Sequence, residues 1–253
     1  MRVLAVASNT FREAVRDKVL YVLLFFAGVT ILGSKALGWI SIGQDIKIVK
    51  DISLAAITVF GVLISIFVGT SLIYKEIDKR TLYTILCRPL HRYEFVLGKY
   101  LGLSFLLALV TGVMTGVACV YVIVLGGTLD GTFFEAILLI YVELLLITAF
   151  AVLLSAVTSP ILGALIVFSL FVLCNATNIL IDLPQQVKGT GFKQVLETIY
   201  YLVPNLSNFD IRAEAANGRA VPAAYILWTI LYGAGYTVML LVLASLAFQD
   251  KDV

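Results

Sequence analysis

Residues 75–99 read KEIDKRTLYTILCRPLHRYEFVLGK and form the one long charged island in the first two-thirds of a strongly apolar chain. The island has six basic residues against three acidic ones. Apolar runs long enough to cross a bilayer flank it on both sides. An excess of lysine and arginine in a short loop between two spans predicts that this loop is cytoplasmic.

Composition places the whole chain in the membrane. Of its 253 residues 61% are hydrophobic and 13% are charged, and the mean hydropathy is +1.03, well outside the range of soluble domains. The sequence therefore predicts an all-α integral membrane protein. Its basic residues stand beside apolar runs and form no exposed stripe, which gives no support to nucleic-acid binding.

The charged island contains a short predicted helix. Nothing breaks a helix between Lys79 and Cys87, and Leu82, Ile85 and Leu86 repeat at the spacing of one helical face. Pro89 then ends it, because proline lacks an amide donor and restricts the residue before it. A second interpretation stays open, in which the island is a solvated loop held in place only by its positive charge.

The apolar runs predict six transmembrane helices. Their ranges are 19–40, 52–74, 100–125, 136–158, 161–181 and 223–248. The second span carries a strip of small residues, Gly61, Ser65 and Gly69, and the third carries Ser104, Ala108, Gly112 and Gly116. Small residues let helix backbones approach closely in membranes, so each strip predicts either internal packing or a dimer seam.

Three further segments complete the layout. Residues 1–18 have the two-faced pattern of a helix lying in the headgroup plane, with the charged start of a signal peptide as the less favoured alternative. Residues 44–51 form a polar connection between the first two spans. Residues 182–222 form an outer segment with an amphipathic or re-entrant helix over 192–203, and Asn208 to Gly218 is predicted to be a polar loop.

Basic residues also predict the orientation. With both termini inside, eleven lysines and arginines lie in the inner segments and seven in the outer ones. The outer residues stand mostly in the long segment, where the positive-inside rule weakens. We therefore expect a multi-pass protein of the cell (inner or plasma) membrane with both termini in the cytoplasm.

A spaced pattern of residues runs through the island. It consists of Tyr74-Lys-Glu-x-Asp-x-x-Thr81, Leu86-x-Arg88-Pro89, Arg92, Phe95 and Gly98-Lys99. This pattern resembles the first cytoplasmic loop of the permease subunits of ATP-binding-cassette (ABC) transporters, in the type-two, exporter-like family. Members typically have glycine just before the threonine, whereas this chain has Arg80.

The resemblance implies a division of labour. The permease would be a homodimer that exports a substrate, bound to two copies of a cytoplasmic ABC ATPase that holds ATP and magnesium. The helix over residues 79–87 would be the coupling helix, and residues 1–18 would be the family's interfacial elbow helix. The implied ATPase-docking residues are Lys79, Arg80, Leu82, Ile85, Leu86, Arg88 and Arg92, with Arg80, Arg88 and Arg92 facing either the ATPase or lipid phosphates.

The sequence lacks the motifs of several functional classes of protein. The sequence has no GxxxxGK[ST] phosphate loop, so the chain is not expected to hydrolyse ATP or to bind a cofactor itself. Its single histidine and three cysteines have no metal-ligand spacing, and no catalytic residues are predicted. The alternative function is a multi-spanning scaffold or secondary transporter that works without an ATPase.

Polar residues within the spans are the candidates for a substrate pathway. Glu143 stands about a third of the way into the fourth span, and ionisable groups at such depth are costly enough to be functional candidates. Asn175, Asn178 and Tyr121 stand in the outer halves of their spans. A competing interpretation is that Glu143 only fixes helix packing through hydrogen bonds.

Overall fold

The computed structural model describes residues 2–38, 45–78, 92–175 and 204–248, and every regular element within these ranges is helical. Apolar runs fold as helices in a membrane because only internal hydrogen bonding satisfies their backbone groups there. The helices are α1 Arg2–Val15, α2 Lys18–Gly38, α3 Asp45–Asp78, α4 Arg92–Val124, α5 Gly131–Val157, α6 Pro160–Asn175, a 3-10 helix Leu206–Phe209, α7 Arg212–Asn217 and α8 Ala223–Ala247.

Five of these helices, α2, α3, α4, α5 and α8, are long and apolar enough to cross a membrane. The sixth predicted span begins with α6, which is apolar but has 16 described residues, and residues 176–181 of that span lie outside the described ranges. Phe25, Phe105, Ile161 and Trp228 all expose more than half of their surface, as expected of side chains that face lipid. The all-α membrane class is confirmed, and the six-span topology stays a prediction.

Helices α3 and α5 form the centre of the bundle and are its most buried long helices. The strip on α3 is the reason. A side-chain carbon added at Gly61 would lie 2.6 Å from Leu144, and one at Gly69 would lie 3.0 Å from Ala151, while the Ser65 and Thr148 hydroxyls lie 2.8 Å apart. This strip is therefore an internal packing surface.

The remaining helices surround this pair. Helix α2 packs on α3 and α4, α8 packs on α5 and α4, and α6 packs on α3 and α5. The strip on α4 is divided: Ser104 is buried, whereas no described atom lies within 4 Å of a side-chain carbon added at Gly112 or Gly116. That half of the strip is open in the described part of the chain.

Helix ends differ from the predicted span ends. Helix α3 begins at Asp45 and includes most of the segment predicted as a polar connection. Lys50 is buried there because its ammonium reaches the carboxylate of Asp130, 80 residues away, at 2.8 Å. Two helices also extend into the charged island of residues 75–99. Helix α3 continues to Asp78 and α4 begins at Arg92, since lysine, arginine and glutamate are good helix formers outside the bilayer. The predicted coupling helix lies outside the described residues.

One end of the bundle is defined by α1, which lies along the start of α4. An added side-chain carbon at Gly98 would meet Val6 at 2.7 Å, and one at Gly102 would meet the Ala7 carbonyl oxygen at 2.6 Å. Both glycines are therefore required for the close approach. We call this the α1 end, and the end where α5 begins the opposite end.

We predict that Gly102→Ala weakens the packing of α1 on α4. Its methyl group would contact a backbone oxygen that cannot rotate away, and overpacking of this kind costs about 1–3 kcal/mol. Thermal unfolding of the purified protein should show a midpoint lower by several degrees. Gly112→Ala on the same helix meets open space and should keep or slightly raise the midpoint, because alanine is the better helix former. Equal midpoints for the two variants would contradict the assignment.

Candidate functional site

The candidate site centres on Glu143, near the middle of α5. It is the thirteenth of the 27 residues of that helix, because α5 begins at Gly131, five residues before the predicted span. Glu143 therefore lies deeper than the sequence predicted. Its side chain is 4% exposed, so an ionisable group is held inside a helix long enough to span a bilayer, which is costly unless polar partners compensate.

Asn175, the last residue of α6, is one such partner. Its side-chain amide lies beside the Glu143 carboxyl group and donates a 3.1 Å bond to the Phe171 carbonyl of its own helix. The two residues stand at matching depth, because α5 and α6 are joined by a short turn and each is 14 or 15 residues from it. The structure thus brings together two of the predicted pathway residues.

A segment of residues 204–218, here called the insert, covers this pair from the opposite end of the bundle. It contains the 3-10 helix and α7, both of which pack against α5. The prediction of a polar loop over 208–218 was wrong, because the alanine-rich residues Arg212–Asn217 favour a helix. Gly218 closes that helix with a positive φ of 64°, a conformation that glycine adopts without strain.

Hydrogen bonds from neighbouring helices hold the insert in place. The backbone N–H of Asn205 donates to the Tyr232 hydroxyl at 2.9 Å. The Ser207 hydroxyl donates to the backbone carbonyl of Asn175 at 2.9 Å, and the Tyr225 hydroxyl donates to the backbone carbonyl of Asn208 at 2.8 Å. These bonds supply partners for backbone groups that lie among apolar helices, where an unsatisfied group costs several kcal/mol.

Phe209 anchors the insert by packing. Its side chain is fully buried and lies against Gly233 of α8, where an added side-chain carbon would meet the ring at 3.0 Å and Val142 at 2.8 Å. Val142 is the neighbour of Glu143 in sequence. The ring of Phe209 therefore reaches the depth of the buried carboxyl group.

Asp210 and Arg212, just after Phe209 in the chain, form a bidentate ion pair. The Arg212 guanidinium donates from Nε to Oδ1 of Asp210 at 2.7 Å and from Nη2 to Oδ2 at 2.6 Å. This hydrogen bonding holds the pKa of Asp210 below its ordinary value and raises the pKa of Arg212. Both groups therefore stay charged at neutral pH.

Charged groups of the insert act on Glu143. The charges of Asp210 and Arg212 both act on Glu143, and Asp51 of α3 also acts on Arg212. Asp210 is the carboxylate that pairs directly with Arg212, at 2.6 Å, and Glu143 and Asp51 lie within the field of that pair. A buried carboxyl group in this setting can accept or release a proton. Among the described residues no group of three or more metal-ligating side chains occurs.

The other predicted pathway residues lie elsewhere. The Tyr121 hydroxyl donates a 2.7 Å bond to the Leu32 carbonyl of α2, and within the described ranges no interaction joins it to Glu143. Asn178 lies outside the described residues. So do Lys79, Arg80, Leu82, Ile85, Leu86 and Arg88 of the predicted docking set, while Arg92 is the first residue of α4.

Sequence reasoning missed the side-chain contacts that join α1, α4 and the end of α8 at the α1 end. Lys99 of α4 is 1% exposed, its Nζ lies 4.0 Å from Oε2 of Glu13 in α1, and the same nitrogen lies 5.7 Å from the centre of the Phe95 ring. Phe95 also contacts Phe248, just after α8, with ring centres 5.7 Å apart. The sequence did offer one indication of this contact: Lys99 directly follows Gly98, the glycine at which α1 packs against α4.

The chain matches a known protein family. A family model described as ABC-2 family transporter protein matches residues 4–253, which is nearly the whole chain. A search of curated proteins found no match.

We predict that Gly233→Ala loosens the insert. The added methyl group would displace Phe209, so backbone amides of residues 205–217 should exchange hydrogen for deuterium roughly tenfold faster, if about 1.4 kcal/mol of local stability is lost. Gly235→Ala, two residues further along α8, meets open space and should leave exchange unchanged. The same exchange rates in both variants would show that Phe209 does not anchor the insert.

Proposed function

Because the chain belongs to the ABC-2 family and is the membrane subunit of an ABC transporter, we propose that two copies form an export permease powered by two copies of a separate ATPase. Members of this family lack a nucleotide-binding domain, and ATP hydrolysis belongs to the partner subunit. ATP and magnesium would therefore bind that partner. Membership disfavours the alternative of a scaffold or secondary transporter without an ATPase.

The length of two helices supports docking of the ATPase at residues 79–91. Helices α3 and α4 contain 34 and 33 residues, or about 50 Å each at 1.5 Å per residue. The hydrocarbon core of a bilayer is about 30 Å thick. The connection between these helices would thus project beyond the membrane, where a soluble subunit can reach the proposed coupling helix over residues 79–87.

The α1 end provides a path from that connection into the bundle. Helix α4 follows the connection directly, and there it contacts α1 through Gly98 and Lys99 and the end of α8 through Phe95. A force on the connection would therefore act on several helices together. This geometry supports the role of residues 79–87 as the coupling helix.

We propose that the α1 end faces the cytoplasm. Helix α1, the end of α3, the start of α4 and the end of α8 all lie at this end, and the described parts of the basic island, residues 75–78 and 92–99, belong to these helix ends. The positive-inside rule favours this arrangement in the cell membrane, with both termini cytoplasmic.

Glu143 and Asn175 are proposed to line the substrate pathway, with Asn178 as a further candidate. Support comes from the depth of Glu143, its Asn175 neighbour and the charged insert above it. The competing structural role, in which Glu143 only joins α5 to α6, requires no ionisable group.

We predict that Leu82→Asp abolishes co-purification of the ATPase while the permease still inserts into the membrane. A carboxylate cannot enter an apolar groove of the partner without a large desolvation penalty. Affinity purification from membranes, with the ATPase measured by immunoblot, checks this outcome. Thr84→Asp adds the same charge to the opposite face of the predicted helix and should retain the ATPase. Docking through Leu82 is wrong if its variant retains the partner equally well.

We predict that Glu143→Gln slows transport at least tenfold while complex assembly is unchanged. Glutamine keeps the shape of the side chain and one acceptor oxygen, and it removes the ionisable carboxyl group. The assay is export of the small molecule that co-purifies with the complex, measured in proteoliposomes. Full activity of both Glu143→Gln and Glu143→Ala would remove the case for a pathway role.

A further inference from the structure

A polar cavity lies at the opposite end of the bundle, apart from the Glu143 cluster. Its volume is about 780 Å³. It opens between the end of α2, the start of α3, the turn before α5 and the end of the insert. The charged residues that line it are Lys35, Asp45, Lys47, Lys50 and Asp130.

The cavity has an excess of positive charge. Lys50 is 4% exposed and is neutralised by Asp130, with Nζ and Oδ2 2.8 Å apart. This leaves Lys35 and Lys47 against Asp45. Within the described part of the chain neither Lys35 nor Lys47 forms an ion pair. Residues 39–44, which connect α2 to α3, contain no charged side chain.

Two helix N-termini add to this positive potential. Helices α3 and α5 both begin at the cavity, at Asp45 and Gly131, and the N-terminus of a helix carries a partial positive charge. Asp130 stands at the N-cap of α5 but makes no side-chain cap hydrogen bond. Its carboxylate is used by Lys50, so it does not cap the amides of the first turn.

The depth of the lysines favours a particular anion. The apolar stretch of α2 ends at Ala36, directly after Lys35, and that of α3 begins at Asp45, two residues before Lys47. Both ammonium groups therefore stand where helices leave the hydrocarbon region, at the level of lipid headgroup phosphates. Flexible lysines bind phosphate as point charges.

We propose that this cavity binds a phosphate-bearing anion, with Lys35 and Lys47 as its ligands. The phosphate would belong either to the headgroup of an anionic phospholipid or to a soluble phosphate ester. A phospholipid would join α2 and α3 to the insert, because Asn217 and Gly218 also line the cavity. This site is independent of the ATPase and of the proposed role of Glu143.

Binding to the purified full-length chain tests the proposal. In one arm the protein, in neutral detergent, is titrated with dihexanoyl phosphatidylglycerol, and in the other arm with glycerol 3-phosphate, with the affinity measured by thermophoresis. At least one probe should bind the unchanged protein, and Lys35→Gln/Lys47→Gln should weaken that binding roughly 30-fold. Both lysines are exposed, so this variant should keep its thermal unfolding midpoint.

Comparing the two probes shows whether the phosphate belongs to a phospholipid or to a soluble ester. Binding of phosphatidylglycerol alone assigns the cavity to lipid, and binding of both probes or of glycerol 3-phosphate alone assigns it to a soluble ester. Arg219→Gln removes a charge next to the insert, outside the cavity lining, and should leave the affinity unchanged. The proposal is overturned if neither probe binds, if the double variant binds as tightly as the unchanged protein, or if Arg219→Gln weakens binding as much.

Discussion

The contact on which the structure depends is the close approach of α3 to α5. Lipid chains compete with apolar side chains, so two helices in a membrane associate mainly through dispersion contacts and a few hydrogen bonds. Gly61 and Gly69 let α3 approach Leu144 and Ala151 closely, and the hydroxyls of Ser65 and Thr148 meet between them. The other long helices pack around this pair and keep large apolar side chains exposed towards lipid.

The candidate site lies on α5, one of these two central helices, and depends on the helices that pack around it. Irregular backbone is tolerated within a membrane protein only where neighbouring groups satisfy it. The insert meets this condition because α6 offers the Asn175 carbonyl and α8 offers the Tyr232 hydroxyl. Phe209 then fills the space that Gly233 leaves on α8. The buried carboxyl group of Glu143 is covered by a segment that the surrounding helices hold at defined points.

Sequence reasoning predicted the features that depend on local pattern. Long apolar runs identified the five long helices, and small-residue spacing predicted a packing face on α3 without deciding between an internal contact and a dimer seam. It failed where a partner lies far away in the chain. The burial of Lys50 requires Asp130, so α3 was predicted to begin too late. The placement of the insert could not be predicted because the bonds that hold it come from α6 and α8, whereas the helix Arg212–Asn217 within it was missed despite its alanine-rich local sequence. Lys99 matched a family pattern, but its contact with Glu13 needs the tertiary structure.

The two faces of α4 differ in how closely they approach their neighbours. Towards α1, a side-chain carbon added at Gly102 would lie 2.6 Å from the Ala7 carbonyl oxygen, so the backbones of α1 and α4 are in direct contact there. Towards α5, the described polar links are hydroxyl bonds from Tyr100 to the Leu145 carbonyl at 3.4 Å and from Tyr141 to the Ser104 carbonyl at 3.1 Å. Bonds of this kind stabilise a protein by only about 0.5–1.5 kcal/mol each, and a helix carbonyl one turn away can replace the acceptor. The backbone contact of α4 with α1 is therefore closer than its polar contacts with α5.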